Sequence, residues 1–256
     1  MGRYTYGDSA LAAERLGLVA RMFEPTTRSF LGAVIDRSPP LAVDLGCGPG
    51  HTTRLLHRVT GARSTVGLDR SEAFVAEARR DGPAGVSFTV HDVTTVPFPT
   101  GPADVVYARL LLAHLADVEG VVRRWSTTLT IGGPLLVDDL EVLDAPEPAF
   151  RRYLDDVAIA VVKAQGGDLF VGPRLHRMPD PPGCERIRDE VAAFSPPASL
   201  TARVFGMNLR VLVERGETEP RPDLAAALEE VASGRRVGRR ATWRVRQVAW
   251  RRASDV

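Results

Sequence analysis

Cysteine, lysine and long apolar runs are all scarce in this chain. Cys47 and Cys184 are the only cysteines among 256 residues, too few for a disulfide framework, which predicts a reducing, cytoplasmic environment. No apolar run approaches the ~20 residues of a membrane-spanning helix, and the first residues show no signal-peptide pattern. We therefore expect no membrane association. Lys163 is the only lysine, a bias that indicates a GC-rich genome more than a special function.

The remaining composition is that of an ordinary globular protein, with 44% hydrophobic residues, 25% charged residues and a net charge of +1. A chain of this length can bury a sizeable core and is near the upper size of one domain, so we predict a single domain over residues 1–256. Residues 235–256 hold eight arginines and one aspartate. With Trp243 and Trp250 this segment could contact RNA, but an edge strand with charged protection explains it better. We do not expect a nucleic-acid partner.

Residues 41–50, LAVDLGCGPG, form the most informative segment, an apolar run that ends in three alternating glycines. The apolar residues predict a parallel strand buried on both faces, and residues 51–59 predict a helix immediately after the glycines. Because glycines lack Cβ atoms, a ligand can lie against the main chain, close to the exposed N–H groups of the helix. Asp44, at the end of the strand, predicts a ligand with a positively charged group.

The glycine spacing differs from that of a dinucleotide site. The G-x-G-x-x-G fingerprint would need glycine where His51 stands, and the carboxylate of Asp44 would repel a pyrophosphate. Residues 44–50, DLGCGPG, instead match throughout the D-x-G-x-G-x-G motif of the class I S-adenosylmethionine-dependent methyltransferases. The chain resembles this family from about residue 8 onward, most strongly over residues 41–141. A tight turn that binds no ligand is the alternative interpretation.

The resemblance implies a doubly wound, Rossmann-like α/β fold of seven strands, six parallel and one inserted antiparallel, with helical lid insertions. It divides the single domain into an N-terminal helical cover (1–38), a cofactor-binding core (41–141), a lid insertion (143–183) and C-terminal strands and helices (184–256). The implied cofactor is S-adenosylmethionine, with S-adenosylhomocysteine as the product.

Acidic residues follow the next two predicted strands. Asp69 comes directly after residues 64–68, about twenty residues past the glycines, where a carboxylate can accept both hydroxyls of a ribose. After residues 86–90, the resemblance implies that Asp92 accepts from the adenine amino group and that the Val93 N–H donates to the ring. The predicted cofactor-binding residues are Arg21, Asp44, Gly46, Cys47, Gly48, Gly50, Asp69, Arg70, Asp92, Val93 and Arg109.

Two arginines in this set are open to more than one interpretation. Arg109 follows a predicted strand at residues 103–108, where the family often has a small or polar residue. Its guanidinium could pair with the cofactor carboxylate, pair with an acidic substrate group, or cap a nearby helix. Arg21 lies in an amphipathic segment, residues 8–37, which Pro25 is predicted to break into two helices. We predict that Arg21 pairs with the methionine carboxylate, so that alanine there weakens cofactor binding.

The candidate general bases are His114, Asp139 and His176. His114 is predicted to begin a helix near the pocket, where a structural role is favoured and proton transfer comes second. Asp139 belongs to an acidic cluster with Asp138 and Glu141 at the end of the fifth strand. This cluster could bind a cationic substrate, accept its proton, hold a metal ion, or be a solvated strand exit. Metal is the least favoured interpretation, because no further oxygen ligands complete a site.

A long excursion, residues 143–183, follows the fifth strand. Residues 151–164 predict a helix, and glycines around apolar residues in 166–176 predict a mobile lid that excludes water, with a plain connecting loop as the alternative. The residues predicted to contact the acceptor are Tyr6, Phe170 and Arg174, with His176 beside them. The remaining predicted elements are two strands and two helices, at residues 186–194, 242–250, 200–214 and 222–233.

The resemblance implies methyl transfer from S-adenosylmethionine to an oxygen or nitrogen of a small-molecule acceptor, in natural-product biosynthesis. Two alternatives remain. A nucleic-acid or protein methyltransferase would fit the basic C-terminal segment, although no Asn-Pro-Pro-Tyr-type motif follows the fourth strand. The protein could also keep the cofactor as a structural element while it catalyses a cyclisation or elimination, or only binds a ligand. The acceptor and the oligomeric state, a homodimer included, stay open.

Overall fold

A seven-stranded sheet runs through residues 6–253, the part of the chain that the computed structural model describes. The strand order is β3-β2-β1-β4-β5-β7-β6. Neighbours among β1 to β5 pair in parallel, whereas β7 is antiparallel to both β5 and β6. The strands are β1 (Leu41–Leu45), β2 (Ser64–Asp69), β3 (Val86–Val90), β4 (Val105–Arg109), β5 (Pro134–Asp144), β6 (Cys184–Phe194) and β7 (Thr242–Arg252). The predicted fold class is confirmed.

Helices cover both faces of this sheet, as the two-faced burial of the central strands requires. The strands β1 and β4 are almost wholly buried, in agreement with their mostly apolar sequences. None of the helices within residues 6–253 has the length and apolarity that crossing a membrane requires. The helices are α1 (Ala10–Val34), α2 (His51–Thr60), α3 (Glu72–Ala78), α4 (Val118–Ser126), α5 (Pro148–Tyr153), α6 (Ile159–Ala164), α7 (Gly172–Arg177), α8 (Ala198–Glu214) and α9 (Pro222–Ala232).

The N-terminal segment differs from its prediction, because α1 continues through Pro25 as one helix. Proline removes one backbone donor and normally kinks or ends a helix. Here both halves of the helix bury apolar side chains. Phe23 lies in one hydrophobic core, and Phe30 and Leu31 lie in another, against the sheet. Burial along the whole length therefore outweighs the loss of one hydrogen bond.

Two predictions about charged segments are wrong, namely that the basic C-terminal strand lies at the sheet edge and that the acidic cluster is a solvated strand exit. β7 is an interior strand between β5 and β6 rather than an edge strand. Its Arg246 forms ion pairs with Glu141 and Asp189, so that this charge serves the sheet itself. Asp138 and Asp139 are fully buried within β5, which extends to Asp144, so the solvated strand exit is also wrong.

The prediction that His114 begins a helix is wrong, because His114 ends a single 3₁₀ turn, Leu112–His114. The helix α4 begins at Val118, where Asp117 caps it by accepting from the Gly120 N–H at 2.9 Å. The predicted helix at residues 151–164 begins earlier, at Pro148, and its middle is a π-helical turn, Leu154–Ala158.

Candidate active site

A cavity of about 760 Å³ lies at the carboxyl ends of the first five strands. This is the edge where open α/β sheets bind ligands, and the volume is typical of a small-molecule site. Helices α1, α5 and α8 and the strand β7 close its other side. The predicted residues that line it are Tyr6, Gly46, Cys47, Gly48, Asp69, Arg70, Asp92, Val93, Arg109, His114, Asp139 and Phe170.

The glycine corner between β1 and α2 is tightly packed. The φ angles of Gly46, Gly48 and Gly50 are 67°, 51° and 84°, in a region of backbone conformation that residues other than glycine rarely adopt. A Cβ on Gly50 would lie 2.6 Å from Cζ of Phe88, and one on Gly46 would lie 2.8 Å from Cδ1 of Leu111. Glycine is therefore required here for both backbone conformation and space, and the corner abuts the segment that leads to His114.

Asp69 fastens this corner to the second strand. One carboxylate oxygen accepts from the Gly48 N–H at 2.8 Å, and the other accepts from the Ser71 N–H at 2.9 Å. Burial raises the pKa of Asp69, while these two donors and Arg70 act in the opposite direction. The carboxylate still lines the cavity, at the position predicted for ribose recognition.

Asp92 and Val93 lie at the end of the third strand, on the cavity wall. Burial of Asp92 opposes its ionisation, but hydrogen bonds from the Thr94 hydroxyl at 2.7 Å and N–H at 2.9 Å prevail and lower its pKa. The Val93 carbonyl accepts from Nε1 of Trp125 at 2.7 Å, which anchors this loop to α4. An ionised acceptor group is thus held in place where the adenine is expected.

Asp44 lies behind the cavity wall rather than on it. Its Oδ2 atom accepts from the hydroxyls of Thr52 at 2.6 Å and Thr53 at 2.7 Å, and the side chain is only 1% exposed. Burial raises the pKa of Asp44 to about 6, against the effect of both threonines and of Arg109. Because Thr52 lines the cavity, Asp44 is one side chain removed from a ligand there.

Arg109 connects the cavity to a buried polar network. Its Nη1 atom lies 3.4 Å from the hydroxyl of Thr27, which donates to Asp138 at 3.0 Å. Tyr107 also donates to Asp138, at 3.4 Å. Burial raises the pKa of Asp138, and the charge of Arg109 opposes this rise. Asp138 is not part of the cavity lining, so its partner is this network rather than a substrate.

A strained turn presents His114 to the cavity. Leu110 has a φ angle of 51°, a conformation that costs a bulky residue about 1–3 kcal/mol and is frequent at functional sites. The turn is held by Asp139, which accepts from the Leu112 N–H at 2.9 Å and the Leu140 N–H at 3.0 Å. Burial raises the pKa of Asp139 to about 7. Burial, with help from the charges of Arg15 and Arg70, lowers the pKa of His114 to about 4, so the imidazole is neutral at pH 7.

Arg15 and Asn208, which were not among the predicted site residues, meet beside His114. Nη1 of Arg15 donates to Oδ1 of Asn208 at 3.1 Å, and the guanidinium lies 4.5 Å from the ring centre of Tyr6. The Tyr6 ring in turn meets that of His114 edge-on, with ring centres 6.0 Å apart. The available signal was a charged residue at helical spacing from Leu11 and Leu18 on the apolar side of α1.

Several predicted residues lie outside this cavity. Arg21 is exposed on α1, and Gly50 is covered by Phe88. Arg174 and His176, on α7, are also absent from the lining. Nδ1 of His176 lies 2.8 Å from Asp189, and its side chain is 59% exposed. The geometry does not support contact between the α7 residues and an acceptor in the cavity.

The parallel sheet with its antiparallel seventh strand, and the glycine corner at its carboxyl edge, define the class I methyltransferase fold. Residues 43–137 match the family described as methyltransferase domain. A trans-aconitate 2-methyltransferase of Methylobacterium nodulans is 36% identical over 115 residues, 45% of this chain and 44% of that protein. Another, from Methylobacterium radiotolerans, is 34% identical over 167 residues, covering 64% and 63%. The chain spans about half the length of the curated relatives it matches.

A solved structure of a methyltransferase candidate from Bacillus halodurans shares the fold, with a TM-score of 0.60 and 15% identity over 90% of this chain and 100% of that one. Residues 43–137 are therefore a methyltransferase domain of the class that uses S-adenosylmethionine, and the solved structure shows the same fold across the rest of the sheet. Its residues fit that cofactor, because the main chain of Gly46 and Gly48 lines the same cavity as two carboxylates, Asp69 and Asp92. Among residues 6–253, no group of three His, Cys, Asp or Glu side chains is placed to hold a metal ion.

Proposed function

We propose that this protein transfers the methyl group of S-adenosylmethionine to an oxygen or nitrogen of a small-molecule acceptor. One observation carries the proposal: a single cavity joins the glycine corner to the turn of His114 and to the part of the cavity lined by Phe23, Phe205 and Trp243, here called the chamber. A cofactor in the corner and an acceptor in the chamber would meet beside His114.

The chain contributes alignment, exclusion of water and a place for a proton. The bound cofactor supplies an activated methyl group, so the protein need not activate a donor. Holding two reactants in line lowers the barrier by ~7–11 kcal/mol. The pKa of His114 is lowered to about 4, so its ring is neutral at pH 7 and is a weak base. It can receive the proton of a hydroxyl acceptor as the oxygen is methylated, because that proton then becomes strongly acidic. Asp139 acts through His114, since it holds the backbone of the turn at Leu112.

The test uses two histidine variants and a labelled methyl donor. Label should move from S-adenosylmethionine to a small product when cell extract fractions are supplied to the wild-type protein. His114→Gln should lower kcat by ~10²-fold, the usual contribution of a general base, and leave the affinity for S-adenosylhomocysteine within twofold. His176→Gln should retain activity, because His176 lies on α7 outside the cavity. The reverse pattern would remove His114 from the mechanism.

The lid predicted at residues 166–176 gains support as part of the site. Leu169 and Phe170 line the cavity, and the Asp168 N–H donates to the Ala113 carbonyl at 3.0 Å, which ties this segment to the His114 turn. A Cβ at Gly167 would collide with the same carbonyl. We propose that this segment closes over the acceptor.

The biological setting of the reaction stays a prediction. It includes the role in natural-product biosynthesis, the cytoplasmic location, the single-domain organisation with its four parts, and a homodimer. The trans-aconitate in the names of these relatives is only one candidate for the acceptor, because those matches cover less than two thirds of each protein. The nucleic-acid alternative loses support, since Arg246 and Arg236 of the basic segment are bound to Glu141 and Glu147.

A further inference from the structure

We propose that the acceptor is a flat, largely apolar molecule, aromatic or polycyclic, whose one polar group is the group that receives the methyl. This inference rests on the proposed function, because it names the acceptor class for the same cavity. It depends on which side chains form the chamber behind His114 and on how they are arranged.

The walls of this chamber are apolar and come from six separate segments. Each of α1, β5, α5, the lid segment, α8 and β7 contributes at least one apolar side chain to the lining. The six that represent them are Phe23, Leu143, Tyr153, Phe170, Phe205 and Trp243. All six segments contribute apolar side chains although they are far apart in sequence, which indicates a surface suited to apolar contact. A solvated cleft would have polar residues at several of these positions.

The aromatic rings in the wall support one another. Tyr153 is stacked on Phe205, with ring centres 4.3 Å apart and 27° between the planes. Phe205 contacts Trp243 at 5.9 Å, and Trp243 meets Phe23 edge-on at 5.6 Å. The rings are largely covered by one another, so they keep the wall rigid when a ligand binds. They offer a ligand mainly their edges, against which the face of another aromatic ring packs well.

A π-helical turn lies in the same wall. Leu154 and Ala158, the two ends of the turn, both line the cavity. Such turns are rare and occur frequently at functional sites, because the extra residue per turn redirects side chains. The turn therefore gives a second, backbone-level indication that this wall is shaped for a ligand.

The polar groups of the chamber are concentrated at one end. Tyr6, Arg15, His114 and Asn208 are linked to one another by the contacts described above. Arg109 also lines the cavity, but its charge interacts with the buried Asp138 and Asp44. A polycarboxylate would place some of its charges against the apolar wall, where desolvation is costly. A molecule with one polar group can direct it to His114.

The experiment compares two probes on protein saturated with S-adenosylhomocysteine. Calorimetry measures the binding of 2-naphthol, a flat molecule with one hydroxyl, and of trans-aconitate, a tricarboxylate. We expect 2-naphthol to bind at least ~10-fold more tightly. Trp243→Leu should weaken 2-naphthol binding by ~10-fold. The matched control is Trp250→Leu, because Trp250 is buried in the same strand and donates to Asp180 at 2.9 Å outside the cavity. It should leave the affinity unchanged.

Phe170→Ala provides a second variant, because Phe170 is only half-buried and its replacement should not affect folding. It too should weaken 2-naphthol binding by several-fold, with S-adenosylhomocysteine affinity unchanged in all variants. Tighter binding of trans-aconitate, no binding of 2-naphthol, or equal effects of the Trp243 and Trp250 variants would overturn the proposal. A protein that binds no S-adenosylhomocysteine would instead refute the proposed function, and 2-naphthol binding alone would then still report on the chamber.

Discussion

Replacing Asp44 by asparagine separates the charge of this buried carboxylate from its hydrogen bonds. The hydroxyls of Thr52 and Thr53 both donate to the same oxygen, Oδ2, at 2.6 Å and 2.7 Å. An asparagine side chain that places its amide oxygen there can keep both bonds. Asp44→Asn therefore removes the charge while the helix start stays anchored, and Asp44→Ala removes the charge and both bonds.

The magnitude follows from the pKa of Asp44, which burial raises from 3.8 to about 6. Between about pH 4 and pH 6 the folded protein keeps a proton that the unfolded chain has released, so the free energy of unfolding falls as the pH rises. Each pKa unit corresponds to ~1.4 kcal/mol, which makes the loss about 3 kcal/mol in full above pH 6. The asparagine side chain of the variant cannot ionise, so the variant escapes this loss. We expect Asp44→Asn to be more stable than wild type by ~2–3 kcal/mol at pH 8 and similar to it at pH 4.

Urea unfolding at pH 4, 5, 6, 7 and 8 measures this difference without cofactor. The other carboxyl groups are common to both proteins, so they cancel when the two free energies are subtracted. Asp44→Ala should be destabilised relative to Asp44→Asn at every pH. A difference that does not change with pH, or one that is larger at pH 4, refutes the reasoning. If the charge of Asp44 attracts the cofactor ammonium as predicted, S-adenosylhomocysteine should raise the Tm of wild type more than that of Asp44→Asn at pH 8.

Three further predictions concern the cofactor corner. Gly50→Ala should abolish S-adenosylhomocysteine binding and lower the free energy of unfolding by more than ~1 kcal/mol. The control Gly101→Ala, at a φ of 72° with open space around it, should lose only the free energy that the positive φ costs an alanine. Equal losses of stability in chemical unfolding would contradict this. Asp69→Ala should weaken S-adenosylhomocysteine binding by at least ~10-fold in calorimetry, because it frees the Gly48 N–H and removes a carboxylate from the cavity; unchanged affinity would exclude the ribose role. Arg21→Ala should change that affinity less than twofold, since Arg21 is exposed; a tenfold loss would restore the carboxylate pairing predicted from sequence.

The sheet and the cofactor corner were predictable because their determinants are local. An apolar run followed by alternating glycines specifies a strand, a tight corner and a helix start within ten residues, so the prediction for residues 41–50 needed no distant contact. Ser71 is another local determinant, because it caps α3 by accepting from the Phe74 N–H three residues on. Asp69 and Asp92 reach the cavity because Asp69 ends β2 and Asp92 lies two residues past the end of β3.

The chamber could not be predicted in this way, because its members are far apart in sequence. Arg15 and Asn208 are separated by 193 positions and meet only when α1 packs against α8. His114 and His176 look equivalent in sequence, and only packing places the first in the cavity and the second on an exposed helix.

The amino-acid sequence by itself determined the parallel strands of the first half and the glycine corner, since these follow from local backbone chemistry. The class of cofactor was implied by the resemblance of residues 44–50 to a family motif. The tertiary structure alone decided which charges are buried. Asp138 and Asp139 are buried because β7 pairs along β5, while Thr27 of α1 and the turn at Leu112 contact their carboxylates. It also decided the character of the acceptor chamber, since six distant segments must come together before their apolar side chains form one wall.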